Sequence, residues 1–213
     1  MAQGGGKWHA LVAVAMIQAG RFLGRPELEK KASDIISRLL EIFWDGTSLG
    51  HSFYNGVLQK QSFLTDAGAM LTAITMLYEN DEKWVETMSI FSEYVATFKE
   101  EGKWIESKSD DFRTVNASWT EQPVPSGISL AETGLTRYAL LTGMDVQPVS
   151  YRQPARSDFY NINALMCNDL FHLYTTKRPL DWKDISANSL QKRGEPETLC
   201  YNKVCRLFSR KDE

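Results

Sequence analysis

Apolar positions recur along this chain in paired segments. From Trp8 to Leu23, Leu11, Val12, Ala15, Ala19, Phe22 and Leu23 fall at helical spacing, and Gly20 and Gly24 mark the end of the run. Pro26 suits the first turn of a second helix, where its missing N–H leaves no bond unmade. That helix sets Leu28, Ala32, Ile35, Ile36, Leu39, Leu40 and Phe43 against a polar face of Glu29, Lys30, Lys31 and Arg38. The pairing recurs from Phe63 to Tyr78, which is rich in apolar and small residues. A polar break at Glu79-Asn80-Asp81 leads to an amphipathic segment from Glu82 to Phe98. Ser126 to Leu141 begins it a third time, so the starts lie about 60 residues apart. Pro148 and Pro154 interrupt the chain after Leu141, and the next helical run is expected over Asp158 to Tyr174.

The connectors after Trp44-Asp45-Gly46 and Gly102-Lys103-Trp104 are long and aromatic, and loops of that kind in compact domains are often functional. Asp45-Gly46 is a turn dipeptide that suits a short β-hairpin. A mostly apolar helix followed by an amphipathic one predicts an all-α fold, an α/α toroid of helical hairpins with short β-hairpin connectors. Residues 1–178 would form the toroid portion. Residues 179–213, polar and punctuated by Gly and Pro, would be irregular, with one short strand at Thr198 to Tyr201.

An ordered set of motifs resembles a known family. Lys7-Trp8, an Ala-rich helix, and Ala19-Gly20-Arg21-Phe22-Leu23-Gly24-Arg25-Pro26 are followed by Phe63-Leu64-Thr65-Asp66, Pro125-Ser126-Gly127-Ile128-Ser129 and a C-x4-C at Cys200 and Cys205. The set is similar to the bacterial and animal thioredoxin-domain-containing proteins that include spermatogenesis-associated protein 20. The resemblance implies the later part of a six-hairpin, N-acylglucosamine 2-epimerase-like and glycosidase-like toroid. The family's thioredoxin-like domain has no counterpart here, because no Cys-x-x-Cys occurs. Three hairpins make half of such a ring, so a second copy or an upstream segment is expected to complete it. His9, Thr65, Ala67 and Ile128 stand where the family prefers Asn, Glu, Tyr and Asn. Each departure changes or removes a polar group at a helix start.

Composition narrows the function. The 213 residues are 43% apolar and 24% charged, with net charge −3, which gives no general electrostatic reason to bind nucleic acid or anionic lipid. No run approaches the roughly 20 apolar residues of a membrane span, and no convincing leader is present, so a cytoplasmic location is expected. Phosphate-loop, dinucleotide, Gly-x-Ser-x-Gly and His-Glu-x-x-His motifs are missing, so no cofactor is called. Cys200 and Cys205 lack a second ligand pair for zinc. A disulfide or two reduced thiols remain, and reduced thiols are the simpler state in a cytoplasmic protein. No metal is called.

The candidate chemistry gathers at helix starts and connectors. Asp66, in the first turn of its helix, can act as acid or base, or can stabilise the helix N-terminus electrostatically. Glycoside hydrolysis uses two carboxylates, and Glu121, beside Trp119, is the preferred partner over Asp45 and Glu132. His9 can serve as base in an epimerase-type reaction next to a carbonyl. His51 and Tyr54 share an aromatic connector. With Trp8, Trp104 and Trp119 they suit the C–H faces of a sugar ring, although such rings also fill cores. Ser126 is expected to cap its helix and border the same site. Trp44, Trp84 and Trp182 read as packing residues. A carbohydrate-binding or carbohydrate-processing domain is expected, with a non-catalytic helical scaffold as the alternative.

Overall fold

The computed structural model describes residues 4–108, 115–120, 124–145, 171–178, 180–182, 185, 189–201 and 204–207. Helix α1 (Gly6–Leu23) turns back through Gly24, whose φ of 63° a residue with a side chain adopts less readily, into α2 (Pro26–Phe43). Helix α3 (Leu64–Tyr78) runs through the centre, and all of it but Thr65 and Tyr78 is buried. A single 3-10 turn over Glu82–Trp84, capped by the Asp81 carboxylate, leads to α4 (Val85–Ala96). Helix α5 (Gly127–Thr142) begins at Ser126, whose Oγ accepts the Ser129 N–H at 3.1 Å.

Helices α1, α3 and α5 run parallel, side by side. At their starts the Lys7 N–H reaches Asp66; at their ends Arg21 reaches the Met76 carbonyl and Arg137 reaches Thr75. The α3–α5 contact depends on small residues. A Cβ at Gly68 would lie 2.6 Å from the Ala131 nitrogen, and one at Gly134 would lie 2.8 Å from Leu71. Only glycine allows that backbone approach.

Short strands fill the connectors. β1 (Gly4–Gly5), β2 (Ser52–Tyr54) and β3 (Val57–Gln59) form one small antiparallel sheet. Its hairpin turns at Asn55-Gly56, both with positive φ, the conformation tight hairpins favour. β4 (Ser62–Phe63) pairs with β7 (Ser107–Lys108), and β5 (Lys99–Glu100) pairs with β6 (Lys103–Trp104) around Glu101-Gly102. The turn at Asp45 is held differently: its carboxylate accepts the N–H groups of Thr47 and Ser48 at 2.9 and 2.8 Å and both hydroxyls. Those bonds hold its pKa far below the usual carboxylate range, and the side chain is spent on the turn rather than on a ligand.

The C-terminal region corrects the all-α expectation and the toroid drawn from it. Strands β8 (His172–Thr176), β9 (Ser189–Arg193), β10 (Thr198–Tyr201) and β11 (Val204–Leu207) form a four-stranded sheet in the order β11-β10-β8-β9. It is mixed: β8 pairs parallel with β9, and the other pairings are antiparallel. The chain is therefore mixed α and β, and the segment expected to be irregular but for one strand holds that strand, Thr198–Tyr201, together with β9 and β11. Of the helix expected over Asp158 to Tyr174, residues 158–170 lie outside the described residues. His172, Leu173 and Tyr174 are strand, and short apolar runs rich in aromatic and β-branched residues fit either period. Cys200 and Cys205 are directly opposed across the β10–β11 hairpin and joined in a disulfide, one of the two states that the sequence left open. Among the described residues, no helix is long and apolar enough to cross a membrane.

Candidate functional site

The parallel arrangement brings three helix starts to one end of the molecule. There the Gly6 N–H donates to the His51 carbonyl at 2.9 Å, and the Leu64 N–H donates to the Glu106 carbonyl at 2.9 Å. Both long connectors therefore deliver a side chain to the start of α3. Asp66 lies between them, 1% exposed. Its Oδ1 accepts the Lys7 N–H at 2.8 Å, so the carboxylate satisfies an orphan donor of α1 rather than of its own helix. Its Oδ2 lies 2.7 Å from His51 Nδ1.

A carboxylate oxygen accepts, so His51 Nδ1 is the donor and the ring's Nε2 is left for another partner. The hydrogen bond to Asp66 raises the His51 pKa above its ordinary value; partial burial and the nearby Lys7 charge oppose the rise. The imidazole packs on Phe63 at a centroid distance of 4.5 Å, and 43% of its side chain stays exposed. A buried carboxylate thus orients a ring that solutes can reach.

Glu106 occupies the α5 side of the same end. The Thr65 hydroxyl donates to its Oε1 at 2.6 Å. Burial raises its pKa, and the Asp66 charge adds to the rise, while the Thr65 bond and Lys7 pull the other way. A Cβ at Gly127 would lie 3.4 Å from Glu106 Oε2, so glycine at the start of α5 leaves room for this carboxylate. Lys7 Nζ sits 4.9 Å above the ring of Trp8, which is 55% exposed.

Of the residues singled out from sequence, the structure joins Asp66 to His51, with Trp8 and Ser126 at the flanking helix starts. It does not gather the rest. His9 is exposed, and its Nδ1 pairs with the Gly5 carbonyl at 3.0 Å. With Phe53 it borders an apolar groove of about 700 Å³ along α2. Tyr54 is 52% exposed near the tip of the β2–β3 hairpin. Trp104 is buried and donates from Nε1 to Glu132 Oε1 at 2.9 Å, so these two are paired with each other and not with Asp66. Trp104 and Trp119 border a separate cleft of about 480 Å³. Glu121 lies outside the described residues. Trp44 packs on Phe91 at 4.9 Å, and Trp182 stacks under the Arg21 guanidinium at 4.5 Å.

Glu106 and Lys7 were not singled out from sequence. Lys7 entered only as part of the Lys7-Trp8 motif, with no chemistry attached, and the sequence signal for Glu106 is its place in the second aromatic connector, a segment already set apart by its length. Among the described residues, no three His, Cys, Asp or Glu side chains converge as a metal-ligand set. No protein-family model matches the chain, and no curated protein matches it in sequence.

Proposed function

We propose that this chain binds a carbohydrate at the end where α1, α3 and α5 begin, and that the His51–Asp66 pair contacts and polarises it. The observation that carries the reading is the 2.7 Å bond from a half-exposed imidazole to a buried carboxylate. That pairing favours the imidazolium, which then presents Nε2–H to a sugar oxygen. Trp8, exposed at the start of α1, supplies a face on which a sugar ring can stack. The site is polar and bears both signs of charge, which suits a neutral polyhydroxylated ligand better than an apolar one.

Binding is tested by NMR on the whole chain, with the histidine and indole signals followed during titration with D-glucose, D-mannose, D-fructose and N-acetyl-D-mannosamine. The His51 and Trp8 signals should shift with at least one sugar. Asp66→Asn should weaken that sugar about tenfold, equivalent to about 1.4 kcal/mol. Sugars that leave both signals unmoved, or an affinity indifferent to Asp66→Asn, would overturn the reading.

A non-catalytic scaffold is the second reading. The groove along α2, with Ile35, Leu39, Ile42, Phe43 and Phe53 on its walls, supports it. It predicts that substitutions at Ile35 and Phe53 alter self-association in light scattering, whereas Asp66→Asn does not.

A further inference from the structure

We propose that the cavity between α4 and α5 is a second binding site, and that it takes a small organic ammonium with an apolar body. It shares no residue with the His51–Asp66 site and does not depend on the carbohydrate reading.

The cavity follows from the local pattern. Glu132, Leu135, Thr136 and Ala139 recur at i, i+3, i+4 and i+7, so they fall on one face of α5. Ser92 and Ala96, one turn apart on α4, line the same space. The hydroxyls of Ser89 and Tyr138 meet at 3.4 Å and tie the two helices together. The β5–β6 hairpin adds a further wall: Lys99 is directly opposite Trp104 in register, and its Nζ lies 5.1 Å from the ring centroid. Met144 and Asp145, just past the end of α5, complete the lining. The volume is about 300 Å³, at the small end for ligand sites.

Two buried polar groups border that space, Glu132 and Thr136, each 5% exposed. Glu132 Oε1 accepts the Trp104 indole N–H at 2.9 Å, which fixes the carboxylate in the wall. The Thr136 hydroxyl, one helical turn further on, has no hydrogen-bond partner among the described residues. A buried hydroxyl left without a partner is costly, and a ligand donor in the cavity would satisfy it.

The charges select the ligand. Glu93, Glu132 and Asp145 line the cavity against Lys99 alone, an excess of negative charge that favours a cation. Leu135, Ala139 and Met144 offer hydrocarbon, which suits an alkyl or aryl body better than a bare metal ion or a polyol. An ammonium carries three donors and no acceptor, so one nitrogen can donate both to the Glu132 carboxylate and to the Thr136 oxygen, one turn apart on α5.

The test titrates the whole chain with phenethylamine and follows the Trp104 indole N–H in NMR. That signal should shift and saturate, and His51 should not move. 2-Phenylethanol and phenylacetate keep the body and change the head, and both should bind at least about tenfold more weakly. Glu132→Gln keeps an oxygen for the Trp104 N–H but removes the charge, so phenethylamine should weaken about tenfold or more with the circular dichroism unchanged. Thr136→Val replaces a hydroxyl that holds nothing within the chain and should weaken binding about threefold. Should Glu132→Gln fail to fold, Thr136→Val and the head-group series decide. Equal affinity for the ammonium and the alcohol, or an affinity indifferent to both substitutions, would reduce the cavity to an apolar cleft and overturn the proposal. A Trp104 signal unmoved by phenethylamine, or a shift at His51 in its place, would overturn it too.

Discussion

The two ends of the α1, α3, α5 layer use similar groups to opposite effect. At the far end Glu79, 2% exposed, accepts from Arg21 at 3.3 Å, from Arg137, and from the Gln191 N–H at 2.8 Å. Gln191 belongs to β9, and its own amide is consumed by Thr176 and the Arg178 carbonyl at 3.0 Å each and by the Leu180 N–H at 3.1 Å. Trp182 covers Arg21, and Glu29 stands 3.7 Å from its Nε. The sheet closes this end, and each charge is turned inward. At the near end the strands are short and stand beside the helix starts, so His51 keeps an open edge. A carboxylate held by several partners under a lid is a clamp. One held by a main-chain N–H and a half-open imidazole can act on a solute. The difference lies in what covers the group, not in its residue type.

Breaking the closed end should have the largest effect. Glu79→Gln leaves two buried guanidinium groups short of a counter-charge, and loss of one partner from such a network costs about 3–5 kcal/mol. Urea unfolding at neutral pH measures it, and a loss under about 1 kcal/mol would show that the end is not sealed.

The contact that aligns the two ends ranks next. Gly68→Ala forces a methyl group to within 2.6 Å of the α5 backbone, which cannot swing aside as a side chain can. A loss of about 1–3 kcal/mol is expected, and an unchanged melting temperature would mean that α3 and α5 separate without penalty.

The open end should respond mainly in its titration. Asp66→Asn removes the group that raises His51, so the His51 pKa should fall toward its ordinary value, with about 1 kcal/mol lost from the fold. Histidine NMR through the titration decides it; an unmoved His51 would break the comparison between the ends.

The smallest effect is a slope with pH. His51 and Glu106 both titrate higher in the folded chain than in the unfolded one. A raised folded value contributes stability that is complete below the unfolded value and is lost as pH rises through the folded one. Relative to Glu106→Gln, wild type should therefore lose stability as pH rises from the ordinary carboxylate value through the raised Glu106 value. The comparison with His51→Gln should show the same sign in a higher window, beginning near the ordinary histidine value. A difference that grows with pH in either comparison would reverse the assigned direction.

The chain's local patterns determined its helices. Apolar spacing and the Gly24, Pro26 and Ser126 signals placed α1, α2 and α5 within a few residues, because capping and periodicity act over one or two turns. Asp66 was legible for the same reason, as a charge in a first turn. The long-range pairings were not: Lys7 and Asp66 are 59 residues apart, Glu106 and Thr65 are 41 apart, and Gln191 reaches Glu79 across 112. Of the sheet, the strand at Thr198–Tyr201 was legible and the rest was hidden, since the apolar run around His172–Thr176 suits either period until β9 and β10 lie beside it. Whether a buried charge clamps or reacts depends on which distant segment covers it, and only the tertiary structure decides that, because burial and pairing belong to the folded chain and not to any stretch of it.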